Sequence, residues 1–128
     1  MGLDIGICAA KNEELLKSGY DNHLEYDEIK NNPHFKNEYG NFIWPDICEV
    51  WYARKFWDMV HAVPTLRNTE NGEYSRIRRE DLKQMIEFYA FNQDYFESFD
   101  GLPRLCELYR DYDELTAQNV KLWFWKSF

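Results

Sequence analysis

A chain of 128 residues has the ordinary size of one domain, which argues against two separate hydrophobic cores. Its net charge of -8, from 23 acidic and 15 basic residues, argues against an electrostatic grip on nucleic acid, which needs concentrated Lys and Arg. Three scattered cysteines with no CxxC spacing make no disulfide scaffold, and no stretch approaches the ~18 apolar residues of a membrane span, so the expectation is a soluble, cytoplasmic protein.

In chain order, Leu3, Ile5 and Ile7 alternate with small or polar residues and predict a first strand over residues 3–9. Asn12 is placed to cap a short helix through Glu13 and Lys17, closed by Gly19. Residues 21–40 are polar, with several Asn and one Pro, and read as loop with short turns. From about Ile47 to Val63 the apolar spacing predicts a long helix stopped by Pro64. Val50, Ala53, Phe56, Trp57, Val60 and Val63 fall on its apolar side, and that side is expected to pack on the sheet. Residues 65–75, with Asn71-Gly72 at their centre, read as a loop or hairpin-like turn, and Ile77 as a short extended anchor.

A second helix is expected from Glu80 or Asp81 to about Tyr89, on a stripe of Leu82, Met85, Ile86 and Tyr89. Arg76, Arg78, Arg79, Glu80 and Asp81 read as a solvated boundary ahead of it. A third helix, capped by Asp100 and with Pro103 in its first turn, runs to about Thr116. Glu107 with Asp111, and Arg110 with Glu114, read as solvated neighbours four apart. Residues 120–126 predict a final strand, with Val120, Leu122 and Phe124 on one face and Trp123 and Trp125 on the other. The fold class expected is α+β: one domain, about three helices packed on a small sheet that includes the N-terminal and C-terminal strands.

Chemistry-bearing motifs are sparse. The three His have no metal-ligand spacing, no serine sits in a nucleophile elbow, and the glycines form no phosphate loop, so neither metal nor cofactor is expected. Cys8 reads as a buried strand cysteine rather than a nucleophile. One constellation stands out. On the expected helix, Arg54, Asp58 and His61 lie together on the polar side, with Trp51 and Trp57 around them. A guanidinium, a carboxylate, an imidazole and ring surfaces could hold a ligand or a peptide. The plainer reading is an ordinary intrahelical Arg54–Asp58 pair, with His61 at the core edge.

Three segments carry a resemblance: the opening Met1-Gly2-Leu3-Asp4, the run Trp51-Tyr52-Ala53-Arg54-Lys55 with the later His61, and the aromatic end Leu122-Trp123-Phe124-Trp125-Lys126-Ser127. Together these are similar to a group of small phage and prophage proteins to which no activity is assigned. The resemblance implies a compact accessory protein of phage or mobile-element origin. The residues themselves offer an acidic chain in which 18% of positions are aromatic. Tyr and Trp suit interfaces because they add rigid contact area with a polar handle. The leading expectation is therefore a non-enzymatic module that binds a protein partner or itself. The second is a small-ligand site or weak enzyme built on the Arg/Asp/His cluster. A third is nucleic-acid mimicry by ordered carboxylates.

Overall fold

Alternating apolar residues at the two ends of the chain find each other at the centre of a five-stranded sheet. The computed structural model describes residues 2–17, 24–54, 56–92 and 101–128. Strand β1 (Asp4–Ala10) lies between β3 (Ile47–Arg54) and β5 (Lys121–Ser127), antiparallel to both. Strand β4 (Tyr74–Ile77) borders β5 on one edge, and the two-residue β2 (Leu24–Glu25) runs parallel to β3 on the other. The order is therefore β2-β3-β1-β5-β4. Both expected end strands are present, and Ile77 ends β4 as an extended residue.

The helices are α1 (Glu13–Lys17), α2 (Tyr26–Ile29), α3 (Trp57–Ala62), α4 (Pro64–Asn68), α5 (Arg79–Phe91), α6 (Leu102–Arg110) and α7 (Tyr112–Ala117). The class is α+β as expected, but the helices number seven among the described residues rather than about three. Asn12 does cap α1, accepting from the Glu14 N–H at 2.9 Å. Gly19 and Asp100, the expected closing and capping residues, lie outside the described residues, and Gly101 stands at the N-cap of α6. The expected third helix is broken at Asp111, where the backbone turns non-helical, giving α6 and α7. After α7, Asn119 takes a positive φ of 59°, and the Val120 N–H returns to the Leu115 carbonyl at 2.8 Å. That left-handed residue ends the helix and aims the chain into β5.

The long helix expected over residues 47–63 does not form. Its first half is β3, and its second half is the short helix α3. The reason is burial on both faces of β3: Ile47, Cys48, Val50 and Trp51 are all buried, so the strand lacks the clean alternation that marks a one-sided sheet. A register shift opposite Ile7 and Cys8 disturbs the period further. The packing expectation holds for residues rather than for a helix. Val60 is buried in the main core with Ile5, Ile7 and Phe124, while Phe56 sits half-buried, edge-on to Phe88 and Tyr89.

The two faces of the sheet are dressed unequally. Buried residues from α2 through α7 join Leu3, Ile5, Ile7, Leu122 and Phe124 in the main core. On the other face a smaller cluster of Cys8, Ala10, Ile47 and Trp123 is covered by Leu15 and Leu16 of α1. No helix among the described residues is long and apolar enough to cross a membrane.

Candidate functional site

Strand β3 and helix α3 divide the five residues singled out in the sequence. Trp51 points into the main core, only 4% exposed, and its indole N–H donates to the Gly101 carbonyl at 3.1 Å. It is a structural residue that ties β3 to the start of α6. Arg54 ends β3 on the opposite face, and its guanidinium lies 3.5 Å from the Asp4 carboxylate, its partner across the β1–β3 ladder. Asp58 is exposed in the first turn of α3. A helical face carrying Arg54, Asp58 and His61 together therefore does not exist, because Arg54 belongs to a strand.

Two of the five do meet. Trp57 and His61, one turn apart on α3, stack with ring centroids 5.8 Å apart, and Phe128 meets Trp57 edge-on at 5.3 Å. Trp57 and Phe128 are 37% and 47% exposed. Their position follows from register. Asp4, Arg54 and Ser127 align across three strands, so the residues that follow Arg54 and Ser127 emerge at one end of the sheet.

At that same end the outer face is bare of helix among the described residues. Trp125 lies over Gly6, so closely that a Cβ on Gly6 would stand 2.6 Å from the indole. Glycine is needed here for close approach rather than for its backbone freedom. Tyr52 tilts against Trp125 with centroids 6.2 Å apart, is 47% exposed, and donates its hydroxyl to Asp4. That hydrogen bond to a carboxylate raises the Tyr52 phenol above its ordinary value. Toward the other end, Arg76 lies over the Trp123 ring at 5.9 Å. The surface is thus a run of rings edged by single charges.

A second polar centre, not anticipated from the sequence, lies where α2, α6 and β3 meet. Arg104 donates to the Val50 carbonyl at 3.2 Å, pairs with Asp27, and lies 4.2 Å over the Tyr26 ring. Glu107 accepts from Tyr26 at 3.0 Å and from Lys30 at 2.5 Å, and sits 3.4 Å from Arg104. Burial alone would raise the Glu107 carboxyl. Hydrogen bonds from Lys30 and Tyr26, with the charges of Lys30 and Arg104, outweigh it and hold the carboxyl below its usual range. Burial and the neighbouring carboxylate push the Tyr26 hydroxyl up, so it acts as a donor. Glu107 is therefore no solvated neighbour of Asp111; Arg110 takes Asp111 instead, at 2.9 Å. These partners lie 77 and 81 positions apart, beyond any local pattern.

Asp81, read as part of a solvated boundary, is buried. Its carboxylate accepts from the Arg78 N–H at 2.8 Å and from Thr65 at 2.7 Å, capping α5 and tying it to α4. Cys8 and Cys48 are buried in the sheet and are poorly suited to act as nucleophiles. Burial, together with the Glu49 carboxylate, pushes the Cys8 thiol up to about 12, and burial does the same to Cys48. Among the described residues no group of three or more His, Cys, Asp or Glu is placed to hold a metal ion. Comparison with known proteins identifies no relative: no family model matches the chain, and neither a curated protein nor a solved structure matches it.

Proposed function

We propose that this chain is a non-enzymatic protein-interaction module, an accessory protein of phage or prophage type, which binds a partner through the ring-lined end of its sheet. The observation that carries the reading is the unequal covering of the two sheet faces. Among the described residues six helices contribute to the core on one face, whereas α1 alone packs on the other, toward its Ala10 end. Tyr52, Trp57 and Phe128 are left exposed around the opposite end, with Trp125 between strands. Exposed rings edged by polar groups are the usual make-up of an interface centre and its rim. The partner is a protein surface, with a second copy of the chain as its simplest form.

Light scattering across a concentration series separates self-association from a monomer, and affinity capture from a host lysate then seeks a different protein. Trp57→Ser combined with Phe128→Ser should abolish whichever association is found, with the circular dichroism spectrum unchanged. A strictly monomeric protein whose captured partner is retained by the double variant would sink the reading.

A further inference from the structure

Strand β3 outruns its neighbour. Strand β2 pairs with it only at Leu24–Cys48 and Glu25–Glu49, after which the chain turns into α2. Residues 50–54 continue for five positions with β1 on one side and, among the described residues, no strand on the other. An exposed strand edge presents backbone donors and acceptors in register for another extended chain. Beside the first part of this edge, from Glu49 to Tyr52, lies a groove of about 400 Å³. It continues into a space of about 240 Å³ that reaches Gly101.

Two features say what fits. The first is charge: among the described residues Glu25, Asp27 and Glu49 line the groove with three carboxylates against one cation, Arg104. Arg104 is committed to Asp27, Glu107 and the Val50 carbonyl. The second is direction: the Val50 carbonyl that accepts from Arg104 points away from β1 and toward the groove, so the strand edge faces that space. Glu25 and Glu49 stand opposite each other in register, and Glu49 is also paired in register with Cys8 on the outer face. Side chains at alternate positions of an added strand would therefore share a face with Glu49 and with the exposed ring of Tyr52, which suits a cation.

We infer that the groove beside residues 50–54 binds a basic, extended peptide segment by strand addition to β3. This goes beyond the ring-lined end proposed above: it concerns a different concavity and a partner of defined charge.

The probe is a fluorescein-labelled heptapeptide of alternating valine and lysine, with a control in which glutamate replaces each lysine. The lysine peptide should bind with salt-sensitive affinity, and hydrogen exchange should slow at residues 50–54. Glu25→Lys combined with Glu49→Lys should weaken binding by about tenfold or more, because like charges then face the peptide. Both substitutions fall on half-exposed or exposed positions, and circular dichroism checks that the variant folds. Trp57→Ser with Phe128→Ser should leave peptide binding intact, which separates this site from the ring-lined end. Equal binding of the glutamate peptide, no binding at about 1 mM (a free energy near -4 kcal/mol), or undiminished binding by the charge-reversed variant would overturn the inference. So would protection of residues 50–54 that rises with protein concentration alone, since a second copy would then be the occupant.

Discussion

The two faces of the central sheet carry much the same kind of side chain but meet different fates. On the inner face Ile5, Ile7, Leu122 and Phe124 are fully or almost fully buried beneath helices contributed by most of the chain. On the outer face Trp125, Tyr52 and Tyr74 are equally large, yet they stay half-buried or exposed, propped against each other and against single charges. Residue type therefore does not decide burial here. What decides it is whether the connections between strands pass over that face, and among the described residues those that do are few.

The largest test of that contrast is Phe124→Ala. Removing a fully buried ring from the inner face should cost ~3–5 kcal/mol, a large share of the ~5–15 kcal/mol that holds an ordinary domain together. Urea denaturation reads it directly, and a cost near that of an outer-face substitution would erase the distinction between the faces. Next is Gly6→Ala, where the added methyl meets the Trp125 indole and should cost ~1–3 kcal/mol through overpacking. If the outer face tolerates rearrangement, combining it with Trp125→Ala should cost less than the sum of the two single changes.

The inner layer also contains the Glu107 network, which sharpens the comparison through pH. Because the folded carboxyl is held below its ordinary value of ~4.3, its contribution is complete above that pH and is lost as pH falls through the lowered folded value. Glu107→Gln should flatten that part of the acid-unfolding profile, and an unchanged profile would show that the network carries no net stability. The smallest effect is expected from Arg54→Ala. An exposed pair with Asp4 contributes under ~1 kcal/mol, so thermal unfolding should shift by little.

The end strands were legible because Leu3, Ile5 and Ile7, and likewise Val120, Leu122 and Phe124, are large apolar residues at alternate positions, whereas α1 was marked by its Asn12 cap and α5 by a one-sided stripe. In α5 the stripe of Leu82, Met85 and Tyr89 is buried as spaced. Residues 47–63 misled because Val50, Ala53, Phe56, Trp57 and Val60 fall at helical intervals by coincidence of a two-sided strand joined to a short helix. The dense run Ile47-Cys48-Glu49-Val50-Trp51-Tyr52, rich in β-formers and following Pro45, was the signal for a strand. That error put Arg54, Asp58 and His61 on one helical face, whereas Arg54 ends β3 and the other two belong to α3. It also hid the pairing of Trp57 with Phe128, which depends on β5 ending beside the start of α3. Of the Arg104–Glu107–Tyr26 centre only the three-apart pair on α6 is local; Tyr26 comes from α2 and meets it only in three dimensions.

The placement of β1 between β3 and β5 has a kinetic consequence. Residues 4–10 pair with residues 121–127, close to the greatest sequence separation this chain allows. Closing so long a loop must precede the reward of the ladder, which slows folding relative to a chain of local hairpins. During synthesis the first strand would emerge with its partner on one side still unmade for more than a hundred residues, and β4 would likewise wait for β5. The sheet can close only once the last of those strands has cleared the ribosome, so Leu3, Ile5 and Ile7 remain candidates for chaperone capture throughout that interval.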